Sequence, residues 1–140
     1  MKRILLVVLT AALVTAGCAD PGAPLTPTPA LPTIAETFSD TLLVLGANTH
    51  NFNVTVIGGV RVTLNSVNPS AKVGLGIGTS SLGSCSVVDH VNTVAGQAVV
   101  LSGTVTVPGL YCVTIFDIVG ADGIGSLVEP AVYTINVLHS

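Results

Sequence analysis

The chain has no tryptophan, an aromatic content of 4%, and charged residues at only 8%. Lys and Arg number 4 against 7 Asp and Glu, a formal net charge of −3. Lys2 and Arg3 sit at the extreme N-terminus, which leaves Arg61 and Lys72 as the only basic residues in the remainder. This excludes the basic stripe that nucleic-acid binding requires, and nothing polybasic is present to attract anionic lipid headgroups. Scarce aromatics argue against a sugar-stacking face. Helical periodicity is also missing. What the chain has instead is 49% hydrophobic residues, dominated by valine, with threonine and 15 glycines. β-Branched residues fit strands better than helices.

The N-terminus has its own organisation. Lys2 and Arg3 precede an almost wholly apolar run from Ile4 to Val14, followed by Thr15, Ala16, Gly17 and Cys18. Charge followed by a short apolar run is the layout of an export signal, and the run is too short for a membrane span of about 20 residues. Val14-Thr15-Ala16-Gly17-Cys18 resembles the lipobox of bacterial lipoproteins, with Thr15 where Leu or Val is more usual. The resemblance implies cleavage before Cys18, a diacylglyceryl group on its sulfur, and a lipid bilayer as partner; two or more acyl chains anchor stably where one does not. It thus implies a signal peptide over 1–17 and an extracytoplasmic, membrane-anchored protein. Ala19 stands where some bacteria read an aspartate as an inner-membrane retention signal, which favours the outer membrane or cell surface.

Residues 18–36 then read as the lipidated cysteine and a linker. Asp20 to Pro32 is rich in Pro and Thr, and proline holds itself and the residue before it in extended conformations. Such a spacer reaches roughly 50 Å at about 3.1 Å per residue.

Residues 37–140 read as one all-β domain. His50, Phe52, Val54 and Val56 alternate with polar residues, and Gly58-Gly59 reads as a turn. Val60, Val62 and Leu64 alternate in the same way up to Asn68-Pro69-Ser70. Val73, Leu75 and Ile77 alternate with Gly74, Gly76 and Gly78, giving one apolar face and one bare face that another backbone can approach. Phe38–Val44, Ala98–Val107, Leu110–Ile118 and Val132–Leu138 supply the remaining strands. Turn-punctuated short strands indicate an antiparallel two-sheet β-sandwich of about 7–8 strands; a small closed barrel is the alternative.

Gly109-Leu110-Tyr111-Cys112-Val113 looks like the late Gly-x-Tyr-x-Val segment of the bacterial pre-peptidase C-terminal domain. The same order of short motifs runs through Phe38 to Leu42, Phe52-Asn53-Val54, Val62-Thr63-Leu64, Asn68-Pro69 and Val73-Gly74-Leu75-Gly76. The resemblance implies a jelly-roll-like sandwich, usually an accessory module of secreted enzymes; this chain carries no enzyme domain beside it.

With Cys18 assigned to lipid, Cys85 and Cys112 remain as an even pair in an oxidising compartment. A disulfide pinning a Thr79–Ser86 loop to a strand is the favoured reading. A redox or metal pair is the alternative, without a Cys-x-x-Cys spacing to support it. Catalytic residues are not assigned. Asp89-His90 are only neighbours in sequence, no Gly-x-Ser-x-Gly elbow exists, and Ser84 and Ser86 have no evident base. His50 reads as a packed or surface strand residue. Asp117, Asp122 and Glu129, set among glycines, form a candidate calcium set; a solvated turn is the better reading. The sequence therefore implies no enzyme and no cofactor beyond the covalent lipid. It points to an interaction or structural module for a cell-envelope or surface protein, with a tethered carbohydrate-binding module as the alternative.

Overall fold

The computed structural model describes Thr28 and residues 31–98 and 100–140; the signal-like segment, Cys18 and most of the linker lie outside the described residues. Eight strands follow in order: β1 (Ile34–Leu42), β2 (Ala47–Val54), β3 (Gly58–Asn68), β4 (Val73–Ser81), β5 (Ser84–Thr93), β6 (Leu101–Val105), β7 (Gly109–Asp117) and β8 (Ala131–His139). They form two antiparallel sheets of four, ordered β1-β8-β3-β6 and β2-β7-β4-β5. Every sequential pair except β4–β5 lies in opposite sheets, the wiring of an eight-stranded jelly roll. The fold is thus the all-β sandwich that the alternation indicates.

The core lies between the sheets. Val62, Leu64, Leu75, Val113, Ile115, Ile135 and Val137 are fully buried, and all stand at inward positions of the inner strands β3, β4, β7 and β8. Alternation delivers them, because successive strand residues face opposite sides.

Several boundaries differ from the sequence reading. β1 begins at Ile34, ahead of the expected strand start at Phe38, because Thr33 N–H donates to the His139 carbonyl and extends the edge pairing with β8. Gly58-Gly59 is no turn: both glycines open β3 and pair with Val105 and Thr104 of β6, and the chain reverses just before them, at 55–57. The expected Thr79–Ser86 loop is a tight hairpin with Leu82 and Gly83 at its tip, both at positive φ, and it leads into β5. Asn68-Pro69, expected to end β3, does so through a cis peptide.

The bare face of β4 is used as its composition suggests. The Phe116 ring of β7 lies on Gly74, and the Ser86 carbonyl of β5 lies on Gly78, so that a Cβ at either position would collide with it. At Gly78 the obstacle is backbone, which cannot rotate away. The register between β4 and β5 also shifts between Ile77 and Gly78, a bulge that turns β5 across its neighbour. Gly78→Ala is expected to destabilise the fold by about 1–3 kcal/mol or more, as overpacking does. Gly103→Ala, where the nearest atom to a new Cβ is 3.8 Å away, is expected to change stability by less than about 0.5 kcal/mol. Urea unfolding of the two variants measures the difference.

Candidate functional site

Cys85 and Cys112 are joined by a disulfide, with Cα atoms 5.8 Å apart and a sequence separation of 27. Cys85 is a strand residue of β5 rather than part of a loop, so the bridge ties strand to strand. Its two strands flank β4 in the sheet, and the bridge therefore spans β4 on its glycine side. A loop of this length contributes about 3–4 kcal/mol in the chain-entropy model.

The residues a triad would need are kept apart. Asp89 and His90 are consecutive in β5 and project to opposite sides of the sheet. Asp89 lines a groove between the sheets, whereas the His90 ring lies 6.4 Å from Phe116 on the outside. Ser84 and Ser86 are exposed at the hairpin end of β5. The other two histidines serve packing. His139 is buried, with Nε2 2.9 Å from Glu36 Oε1 and its ring 5.2 Å from Phe52. His50 stacks on Phe38 at 4.8 Å and its Nε2 lies 2.7 Å from the Tyr133 hydroxyl. Burial lowers the His50 pKa, partly offset by the Asp40 carboxylate. Burial also raises that of Tyr133, against a hydrogen bond from Asn48. Both shifts keep the pair neutral, with the phenol proton available to the imidazole.

The calcium candidates do not converge either. Asp117 is buried at an inward position of β7, where it accepts from Leu45 N–H at 2.9 Å and Leu127 N–H at 3.0 Å. The Ser126 hydroxyl lies 2.9 Å from Asp117 Oδ1 and also within reach of the Lys72 carbonyl, two acceptors for one proton. Asp122 accepts from Ile124 N–H in its own turn, and Glu129 is exposed. Among the described residues no group of three or more His, Cys, Asp or Glu side chains could hold a metal. Asp117 instead fastens the β1–β2 turn to the β7–β8 loop, and the Ser126 hydroxyl reaches the β3–β4 loop at the Lys72 carbonyl. Its position in the inward series Val113, Ile115, Asp117 was the sequence signal for a buried carboxylate.

A shallow groove lies between Leu31, Pro32 and Arg61, and a deeper one of about 300 Å³ opens where the edges of β5 and β6 face each other across the sandwich. Val60, Ile77, Val88, Val105 and the half-buried Tyr111 line it, and Asp89 is its only charged side chain. Tyr111 donates to the Val107 carbonyl at 2.7 Å, which leaves its hydroxyl engaged. Of the other aromatics, Phe52 and Tyr133 are buried and Phe38 and Phe116 half-buried. No described aromatic therefore stands as a free flat face. The groove has room for a small apolar or amphiphilic group, and its residues include no nucleophile paired with a base.

These features define the class: a disulfide-braced jelly-roll sandwich whose inward polar groups are engaged in packing. No protein-family model matches the chain, and no curated protein does. Among solved structures it is similar to the Yersinia pseudotuberculosis-derived mitogen, at 14% identity over 78% of this chain and 87% of that chain, with a TM-score of 0.51. At that identity the likeness concerns the fold alone.

Two titrations follow. Burial by itself would raise the Asp117 pKa, but hydrogen bonds from Leu45, Ser126 and Leu127 outweigh it and hold the carboxyl below its ordinary 3.8. The unfolded chain then binds its proton first on acidification, so this contribution is full above the unfolded value and is lost as pH falls through the folded one. Asp117→Asn is expected to cost about 2–4 kcal/mol at neutral pH, and the gap from wild type should close as the pH is lowered through the acid range. For His50, the folded pKa lies below the ordinary 6.5, so the neutral form stabilises the fold and stability declines as pH drops beneath that value. His50→Gln should flatten the dependence of the urea midpoint between about pH 7.5 and about pH 5.

Proposed function

We propose that the protein is a lipid-anchored, extracytoplasmic lipoprotein that presents a non-catalytic β-sandwich for contact with a cell-envelope or surface protein. The observation that carries this reading is the Val14-Thr15-Ala16-Gly17-Cys18 stretch, followed by a proline-rich run that delivers the chain to β1. The Cys85–Cys112 bridge supports an oxidising compartment, where such bonds persist. The jelly-roll fold is the one implied by the resemblance to the pre-peptidase C-terminal domain, whose members are accessory modules. An interaction role rather than catalysis is favoured because Asp89 and His90 face apart and each remaining histidine is engaged by a neighbour. The outer membrane or cell surface is the favoured address.

A tethered carbohydrate-binding module is the second reading, and the groove beside Tyr111 and Asp89 is the observation that favours it. Its apolar lining and the engaged Tyr111 hydroxyl make it the weaker one. Saturable retention by one soluble polysaccharide would reverse the order.

Palmitate labelling in a bacterial host tests the anchor. Wild-type protein should incorporate label and fractionate with membranes; Cys18→Ser should lose the label and remain unprocessed. Wild-type protein that stays unlabelled with its N-terminus intact refutes the reading.

A further inference from the structure

We propose that the end of the sandwich where the chain enters β1 rests against the lipid bilayer, through the apolar tips Val56, Leu82 and Val107. This rests on the lipid-anchor reading and goes beyond it by assigning the face that meets the lipid.

The strand register gathers one set of connections at that end. Ile34 of β1 pairs with His139 of β8, which also pairs with Val60 near the start of β3, and Gly58 pairs with Val105. In the other sheet Val54 pairs with Gly109, and Ser81 with Ser84. The start of the described domain, its last residues, and the β2–β3, β4–β5 and β6–β7 connections therefore share one end. Thr55, Val56 and Ile57 form the first connection, Leu82 and Gly83 the second, and Thr106, Val107 and Pro108 the third. No charged side chain occurs in any of them. Yet Leu82 is 104% exposed, Val107 66% and Val56 49%, and Leu31, where the linker arrives, is 79%.

The opposite end is different. Leu43, Leu45, Ile124 and Val128 are exposed there as well, but Lys72, Asp122 and Glu129 stand among them. Charged side chains resist entry into the hydrocarbon boundary, whereas Leu and Val beside hydroxyl residues suit it. The linker also arrives at the end whose connecting tips carry no charge, with exposed Arg61, the fourth residue of β3, set back in a groove with Leu31 and Pro32. An anchor on Cys18 would hold this end within roughly 50 Å of the bilayer. At that effective concentration a contact too weak to bind a free protein becomes populated. With no charge on the tips and Arg61 alone set back behind them, the contact should depend only weakly on salt.

The absence of tryptophan makes a direct test available. Full-length mature protein carrying Leu82→Trp, Val107→Trp or, as the far-end reference, Ile124→Trp is reconstituted with vesicles of phosphatidylethanolamine and phosphatidylglycerol containing brominated acyl chains. Emission from the Leu82→Trp and Val107→Trp proteins should shift to the blue and be quenched several-fold more than that from Ile124→Trp, at low and high salt alike. All three sites are exposed, and two reporters cover the case in which one fails to fold. Equal quenching at both ends, or none at Leu82→Trp and Val107→Trp, overturns the proposal. So does a blue shift without vesicles that grows with protein concentration, which would assign the end to a second copy. Mass spectrometry of the N-terminal peptide reads the anchor separately. An unacylated Cys18 refutes the anchor reading; the same proteins are then coupled through the Cys18 thiol to a maleimide-bearing lipid in the vesicles, which restores the tether, and the quenching comparison decides the face.

Discussion

Face-to-face burial of two valine-rich sheets is the constraint on which the rest of the structure depends. The inner strands β8, β3, β7 and β4 supply fully buried Val62, Leu64, Leu75, Val113, Ile115, Ile135 and Val137. These side chains are short and mostly β-branched, so each gives up little rotamer freedom on burial. Each also fills little volume, and a core whose only fully buried rings among the described core residues are Phe52 and Tyr133 has to close largely by strand proximity. The glycines of β4 and the bridge between its neighbours meet that need: on the outer side, Phe116 and the β5 backbone settle against β4 where side chains would otherwise hold them off. The sheet thickens outward without spreading.

A thin apolar core tolerates inward polar groups only when each is satisfied. Asp117, His50, Tyr133 and His139 all point inward, and all have partners. Among the described residues no buried side-chain nitrogen or oxygen lacks one. These groups sit at the margins of the sandwich, not in its middle. Glu36–His139 and His50–Tyr133 occupy the side where β1 and β2 approach, and Asp117 closes the end away from the linker. Side chains of the kind usually inspected for catalysis are here spent on sealing a sandwich that has few bulky residues for the purpose.

The strands with one buried face were legible in the sequence. β3 and β4 alternate without a break over their first several residues, and the bare glycine face of β4 is close to explicit. β5 was not legible, and the reason is physical. It is an edge strand with most residues exposed on both faces, and a bulge opposite Ile77 and Gly78 breaks its parity, so Ser-Cys-Ser-Val-Val-Asp-His carries no period-two signal. That miss also placed Cys85 in a loop. The disulfide needed only parity and compartment, and so survived the wrong local assignment. Asp117 was misjudged as part of a solvated turn, the usual setting for an aspartate close to glycines. Its neighbours Val113 and Ile115 already placed it on the buried face, where a carboxylate needs fixed donors.

The two ends of the sandwich differ in how they are built, and the difference bears on how such a module works. At the linker end the connections are short and held by strand pairing on both sides. They reach a surface with their shape already set, and little ordering is lost on contact. At the other end lies the long 118–130 segment, which would be costly to order on its own. Asp117 does so in advance by drawing Leu45, Ser126 and Leu127 onto one carboxylate. A carboxylate at the base of these loops sets their arrangement while leaving Ile124, Val128 and Glu129 exposed. One end is thus stiff and apolar at its tips, with Arg61 set back in β3, and the other is larger, mixed in character and fixed from within. A tethered module that rests on the first would present the second, and it is on those internally fastened loops that selectivity for a protein partner would have to be built.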